Sequence, residues 1–345
     1  MRRTWKLLAL PLALTLAVTA CGDDDDSGDE GTGDEVSGDG LVVYSGRNEE
    51  LVGPLIEQFE DASGIDVEVR YGDTAEMAAQ ILEEGDNSPA DVFFGQDAGA
   101  LGALAADGRL QPLSAAQLDL VPAGLRDDEG EWVGVSGRSR AVVYNTEALT
   151  EADLPASILD FTDPAWSGRI GWAPTNGSFQ AFVTALRVLE GEDGARAWLE
   201  GIKANGAIAL DNNIAVVEAV ASGEIDVGFV NHYYLYQFLA DEPGFPAANK
   251  IYGGGDPGAL VNVAGVGILD TADSDTEANA FVDYLLSADA QRYFADETFE
   301  IPLAGGVPPH EGVPTLAQLQ PPDLDLNDLD DLEGTLELLA SVGLV

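Results

Sequence analysis

The chain has 345 residues, 46% of them hydrophobic, with a formal net charge of −47 and a single cysteine. So large an acidic excess excludes nucleic acid and anionic membrane surfaces as partners of the folded part. One cysteine excludes an intramolecular disulfide. The apolar content is sufficient for two lobes with separate cores.

The N-terminus has the features of an export signal. Basic residues open the chain, and the apolar stretch 7–20 that follows is too short to span a bilayer. Residues 18–21 match a bacterial lipobox, which predicts a signal peptide over 1–20 and a lipid on Cys21. Residues 21–40 are acidic and rich in Gly and Ser, so we expect an unfolded tether. The mature chain is predicted to be attached to the outer face of the cell membrane, in the periplasm or the cell-wall space, by its lipid alone.

Strands and helices alternate after the tether. Short apolar runs predict strands at 41–44, 66–70 and 91–94, and helical spacing predicts helices from about Glu49 and over 77–84. This order is typical of a parallel, doubly wound α/β sheet, which binds ligands at the carboxyl ends of its strands.

A second set of elements begins near residue 138. The predicted strands are 141–144, 169–173, 226–230 and 263–269, and the predicted helices are 179–190, 194–205, 214–221, 275–287 and 289–296. Two such sets in one chain imply a cleft between two lobes. The acidic stretch 320–333 lacks the Gly that turns an EF-hand loop, so it is interpreted as a linker before a helix at 334–342.

Motifs for catalysis are not evident. The one thiol is assigned to lipidation, the only histidines are His232 and His310, and no nucleophile elbow, P-loop or zincin motif occurs. We therefore expect no enzymatic activity. An exported hydrolase stays open as an alternative from another functional class.

Two adjacent tyrosines, Tyr233 and Tyr234, lie between an apolar run and a predicted helix. A phenolate is a hard anionic donor, suited to a hard trivalent cation such as Fe³⁺. A tyrosine has a pKa of about 10, and a bound trivalent cation would favour its ionised form. In an arbitrary protein such a pair is more often the edge of a core than a metal site, so that reading also stays open.

Three arginines are candidates for binding an anion. Arg47 lies in a strand-to-helix turn, where free N–H groups and the helix dipole also favour negative charge. Arg138 and Arg140 lie on one face of an extended segment before a strand. The alternatives are that Asn48 is simply a helix cap and that the arginines form local ion pairs.

Two further helix starts carry capping residues. Asn176 or Ser178 is expected to cap one helix, and the segment 211–214 opens another. Either start could donate N–H groups to an anion.

Six motifs together resemble a known family. They are the lipobox, residues 44–47 (Tyr-Ser-Gly-Arg), 88–93 (Ser-Pro-Ala-Asp-Val-Phe), 136–140 (Ser-Gly-Arg-Ser-Arg), 231–234 (Asn-His-Tyr-Tyr) and 256–260 (Asp-Pro-Gly-Ala-Leu). In this order they resemble the ferric-iron substrate-binding proteins of ABC transporters, over about residues 40–343. The tyrosine and Ser-Gly-Arg-Ser-Arg motifs are the most specific.

The resemblance implies a type II periplasmic-binding-protein fold, α/β in each of two lobes. The implied domains are lobe 1 at 41–137 plus about 263–310, lobe 2 at 138–262, and an acidic linker with a closing helix at 311–345. It also implies capture of Fe³⁺ by a monomer, together with a carbonate- or phosphate-like synergistic anion, and delivery to a permease.

The resemblance assigns metal binding to Tyr233 and Tyr234, with a further tyrosine at Tyr144. Family positions for a histidine and a glutamate hold Asn48 and Gln96 here, and Glu49 stands where one branch has a tyrosine. These three are candidates to complete the metal shell. The candidate anion-binding residues are Arg47, Arg140, Asn176, Gly177, Ser178, Asn213 and Asn231.

Two alternative functions are those of an exported protein that does not bind iron. The same fold could bind an organic or phosphorus-containing anion or a polyamine, because the His and Glu ligands are replaced. A non-transport acidic surface protein is disfavoured by the clustered arginines.

Overall fold

The computed structural model describes residues 40–345. The predicted signal peptide, the predicted lipidation site Cys21 and nearly all of the predicted tether lie outside the described residues. No helix within 40–345 is long and apolar enough to cross a membrane.

The described chain alternates strands with helices. The strands are β1 (Leu41–Ser45), β2 (Val67–Tyr71), β3 (Val92–Gly95), β4 (Val133–Asn145), β5 (Ile170–Trp172), β6 (Ile208–Ala209), β7 (Val227–Asn231), β8 (Ala247–Lys250), β9 (Val261–Ile268) and β10 (Ile301–Pro302). The helices are α1 (Glu49–Ser63), α2 (Thr74–Glu84), α3 (Ala98–Ala106), α4 (Ala115–Leu118), α5 (Gly177–Ala204), α6 (Asn213–Ala221), α7 (Tyr233–Asp241), α8 (Asp275–Leu285), α9 (Ala288–Asp296), α10 (Leu316–Leu319) and α11 (Leu332–Ser341).

The strands follow the order β2-β1-β3-β9-β4-β7-β5-β6, with β8 and β10 also paired to β4. The first three strands are parallel, as predicted, and β9 joins them antiparallel to β3. β5 is parallel to both β6 and β7. Two parallel groups therefore flank the antiparallel pair β4 and β9.

One strand, β4, bridges the two groups. Its first half, from Val133 to Ser139, pairs with β9, and its second half, from Arg140 to Tyr144, pairs with β7. The sequence prediction began this strand only at Ala141, and this is wrong because the strand starts at Val133. The Ser-Gly-Arg-Ser-Arg motif is therefore part of this buried strand and not a segment that precedes it.

The long helix α5 contains a break at the predicted place. Gly191 has φ 75° and ψ 166°, which is not helical. The two helices predicted at 179–190 and 194–205 are thus confirmed as the two halves of α5.

The acidic C-terminal stretch is not an open linker throughout. It contains a 3₁₀ turn at Leu326–Leu329, whose end residues are buried, and α11 begins at Leu332. Leucines that break the acidic pattern are the residues that pack.

Candidate metal and anion site

A cavity of about 390 Å³ lies at the carboxyl ends of strands from both groups. Its lining after β1, β2 and β3 is Gly46, Arg47, Asn48, Glu49, Tyr71, Gly72, Asp73 and Gln96. Its lining from the second group is Thr175, Asn176, Asp211, Asn212, Ile214 and Tyr234. The cavity therefore collects many of the residues that the sequence analysis singled out.

The two tyrosines begin helix α7, directly after β7 and His232. Their ring centroids are 4.2 Å apart with an interplanar angle of 31°. Tyr234 lines the cavity at 5% exposure, whereas Tyr233 is fully buried and its hydroxyl has no hydrogen-bond partner among the described residues. An unpartnered buried hydroxyl costs roughly 1–3 kcal/mol, which a ligand at this oxygen would recover.

Burial raises the pKa of Tyr233 well above its usual range, and a charge on Tyr234 would raise it further. The guanidinium groups of Arg47 and Arg138 act in the opposite direction. Without a metal, Tyr233 is therefore neutral at pH 7, and a cation of high charge would be needed to ionise it.

Arg47 does not present its fork to the cavity as predicted. Its Nη1 and Nη2 donate to the two carboxylate oxygens of Glu300 at 3.0 and 2.7 Å, and both side chains are buried. Burial lowers the pKa of Arg47, but the Glu300 carboxylate together with Tyr233 and Tyr234 raises it, and the net shift is upward. The prediction that Arg47 binds an external anion is therefore corrected, because the Glu300 carboxylate already binds its guanidinium group.

Arg138 and Arg140 are buried cations without a carboxylate partner in any ion pair of residues 40–345. Each Nη2 donates to one backbone carbonyl, that of Val263 at 3.2 Å for Arg138 and that of Phe229 at 3.1 Å for Arg140. In both residues Nε and Nη1 have no acceptor among the described residues. Burial lowers the pKa of Arg140 to about 9 and also lowers that of Arg138. The unused donors of these two buried cations favour a bound anion.

The side chain of Arg140 lies against the start of α5. Its guanidinium carbon is 5.5 Å from the Phe179 ring centroid and 5.1 Å from that of Phe182. The cation is thus held on aromatic faces near a helix N-terminus.

The predicted caps of α5 and α6 meet. Asn176 is the N-cap of α5, and its Oδ1 accepts from the Ser178 N–H at 3.1 Å and from Nδ2 of Asn213 at 3.1 Å. Oδ1 of Asn213 and Nδ2 of Asn231 have no partner among the described residues. Gly177, the first residue of α5, lies against Asp97 and Thr74. The structure therefore places four predicted anion residues at one helix start, with Asn231 paired to Arg140 in the sheet.

The predicted third tyrosine is not brought to the pair. Tyr144 stands opposite Val227 at the beginning of β7, while Tyr233 follows the end of β7. Four residues of extended chain separate Tyr144 from Arg140, roughly 13 Å. Its pKa is raised by burial and by Glu151. The prediction failed because a matching residue type in a motif does not show at which end of its strand the residue lies.

The three candidates to complete a metal shell all line the cavity. Asn48 is exposed, and its Oδ1 caps α1 by accepting from the Glu50 N–H at 2.8 Å. Glu49 is exposed and brings the only carboxylate of the three. Nε2 of Gln96 is buried without a partner among the described residues.

His232 is fully engaged by backbone groups. Its Nδ1 accepts from the Ser139 N–H at 3.1 Å, and its Nε2 lies 3.0 Å from the Phe299 carbonyl. Burial lowers its pKa to about 4, so the ring is neutral with the proton on Nε2. His232 thus fixes the residue before the tyrosines and does not offer a nitrogen to a metal.

Two buried carboxylates escaped the sequence analysis. Glu300 binds Arg47, and Asp97 caps α3 by accepting from the Ala100 N–H at 3.0 Å. Asp97 directly follows Gln96, so its place after β3 was a usable signal. Glu300 had none, because it is 253 residues from its partner.

No group of three or more His, Cys, Asp or Glu side chains in residues 40–345 could hold a metal ion. A metal in this cavity would therefore depend on the phenol oxygens.

A family model described as "Bacterial extracellular solute-binding protein" matches residues 87–330. The chain belongs to this family. The major ferric iron-binding protein of Neisseria meningitidis serogroup B is 36% identical over 312 residues, which cover 88% of this chain and 93% of that protein.

Solved structures of the family share the two-lobe type II fold of this chain. Iron-bound HitA from Pseudomonas aeruginosa superposes with a TM-score of 0.84 at 35% identity, covering 88% of this chain and 99% of HitA. A Trichodesmium protein in complex with iron and citrate gives a TM-score of 0.72 at 28% identity, covering 89% of this chain and all (100%) of that one.

Proposed function

We propose that this solute-binding protein captures Fe³⁺ through the phenolates of Tyr233 and Tyr234 and delivers it to an ABC importer. The observation that carries the proposal is the adjacent pair at the start of α7, one ring lining the cavity and one hydroxyl buried without a partner. The ferric iron-binding activity in the names of its relatives supports it.

The remaining coordination positions fall to oxygen donors around the cavity. Of the three candidates, Glu49 fits a hard trivalent cation best because its donor is anionic. Asn48 has its Oδ1 engaged in capping, and Gln96 offers a neutral oxygen. Tyr144 is left out of the proposed ligand set because of its place in β4.

A synergistic anion would lie between the start of α5 and Arg140. The unused Nε and Nη1 of Arg140, the unpartnered Nδ2 of Asn231 and the dipole of α5 all favour an acceptor-rich ligand there. Arg138 adds a second buried positive charge. A relative in complex with iron and citrate supports the proposal of such an anion.

Capture is proposed to involve closure of two lobes about β4 and β9, the strands that connect them. Lobe 1 would comprise 41–137 and about 263–310, and lobe 2 would comprise 138–262. A lipid on Cys21 would keep the monomer near its permease on the outer face of the membrane.

The experiment is a titration of the apo-protein with Fe³⁺, followed by visible absorption. We expect a phenolate-to-iron charge-transfer band that saturates at one equivalent and is lost when Tyr233→Phe and Tyr234→Phe are combined. Tyr252→Phe is the matched control, because that hydroxyl donates to the Pro155 carbonyl outside the cavity. A wild-type protein that stays colourless and does not bind Fe³⁺ tightly would reject the function.

An organic or phosphorus-containing anion is the second candidate cargo. The unpartnered guanidinium nitrogens of Arg138 and Arg140 favour it, since they would bind such a ligand without the tyrosines. Calorimetry with a panel of organic anions in the absence of iron separates the two, because the iron carrier should bind them weakly when metal-free.

A further inference from the structure

Asp97 is a buried carboxylate that the proposed function leaves unused. It is 3% exposed, and its Oδ1 caps α3. Its Oδ2 lies 3.0 Å from the position that a Cβ on Gly177 would occupy. A carboxylate oxygen therefore reaches the first residue of α5, across the space between the two strand groups.

The same helix start is the donor-rich end of the site. Arg140 is 2% exposed, lies on the rings of Phe179 and Phe182, and keeps two nitrogens without an acceptor among the described residues. An anion bound by Arg140 and the first turn of α5 would have Oδ2 of Asp97 as a close neighbour.

We propose that Asp97 selects an anion that carries a proton. Two deprotonated oxygens placed side by side in a buried site repel one another, and neither has a donor to satisfy it. An anion with a hydroxyl group instead donates to Asp97 while its other oxygens accept from Arg140 and the helix. Hydrogen phosphate and hydrogen carbonate have this chemistry at neutral pH, and sulfate does not.

This inference rests on the proposed function, since the anion is the one that accompanies iron. Asp97 is then a residue that determines which anion binds. A site with a fixed acceptor rejects the analogue that lacks the matching donor, even when the analogue has the same shape.

The test loads apo-protein with iron in the presence of one anion at a time. Ferrous chloride is oxidised in air at pH 7 with phosphate, bicarbonate or sulfate as the only added oxyanion. The visible band reports iron, and native mass spectrometry reports the retained anion. We expect phosphate and bicarbonate to support loading and sulfate to be roughly tenfold or more poorer, the consequence of one unmatched buried acceptor.

Asp97→Asn supplies the complementary result. Asparagine caps a helix as well as aspartate, so α3 should persist, and its amide can donate to sulfate. The variant should therefore accept sulfate and lose its preference for phosphate. Asp163→Asn is the matched control, because Asp163 also accepts a backbone N–H, that of Ala165 at 2.8 Å, and does not line the cavity; it should keep the wild-type preference.

The outcomes separate the inference from the function. Wild-type protein that loads equally with sulfate, that retains no anion, or whose Asp97→Asn variant still refuses sulfate overturns the inference while leaving iron capture standing. A protein that takes up no iron with any of the three anions overturns the proposed function itself.

Discussion

At the scale of single residues, Arg47 illustrates what a local pattern misses. Its position in a strand-to-helix turn predicted a donor for an external anion. The partner is Glu300, and the Phe299 residue before it adopts φ 58°, a left-handed conformation uncommon for a side chain of this size. Breaking such a buried pair costs about 3–5 kcal/mol. Only the folded structure shows that the partner of the Arg47 guanidinium is a carboxylate of the same chain.

His232 gives a pH-dependent prediction. Its folded pKa of about 4 lies below its ordinary value of 6.5, so the unfolded chain binds the proton more readily. Stability from this residue is fully present above pH 6.5 and is lost as the pH falls towards 4. Between pH 7 and pH 5 we expect it to remove about 2 kcal/mol from the free energy of unfolding.

The measurement is urea unfolding of the apo-protein at both pH values, for wild type and for His232→Gln. Glutamine can still donate to Phe299 and accept from Ser139 but does not titrate in this range. In the variant, the free energy of unfolding should change less between pH 7 and pH 5, by the share that His232 contributes. An unchanged difference would show that the ring is not held neutral.

At the scale of elements, the sequence predicts those whose pattern is carried by one face. The strand β2 and the helices α1 and α2 were predicted because buried and exposed residues recur with the expected period, whereas β1 and β3 were predicted as short apolar runs and are almost entirely buried. Helix α3 was missed because its Ala, Gly and Leu residues have no polar face to define a period. The short strands β6 and β10 were missed because two residues form no pattern.

The start of β4 was mispredicted for a related reason. Arginines normally indicate surface, yet Arg138 and Arg140 are buried. Buried arginines break the rule that predicts strands from apolar residues, and departures of this kind are typical of functional sites.

The C-terminal stretch yields a prediction at this scale. A Cβ on Gly99 of α3 would lie 2.6 Å from the Leu329 carbonyl oxygen. Gly99→Ala must therefore displace the 3₁₀ turn Leu326–Leu329, and overpacking of this kind costs about 1–3 kcal/mol. We expect a lower urea midpoint although alanine is the better helix former.

Gly244→Ala is the control for that comparison, since a Cβ there meets nothing within 4 Å. It should leave the midpoint close to wild type. Equal midpoints for the two variants would indicate that the acidic segment is the loose linker that its composition suggests.

At the scale of the whole molecule, the order of the sequence motifs predicts the family but does not predict the geometry of the site. The motifs predicted a two-lobe iron-binding protein, and the fold and the relatives agree. The distances that decide roles arise from contacts between strand groups far apart in sequence. Such contacts placed Glu300 on Arg47 and Asp97 beside Gly177, and they left Tyr144 at the distant end of its strand.

Resonance Raman spectroscopy of the iron-loaded protein, excited within its visible band, tests the central claim most directly. Phenolate oxygens bound to Fe³⁺ should give enhanced tyrosinate ring modes, weaker in Tyr233→Phe or Tyr234→Phe alone and absent when both are replaced. Iron held with full affinity but without tyrosinate modes would contradict the account.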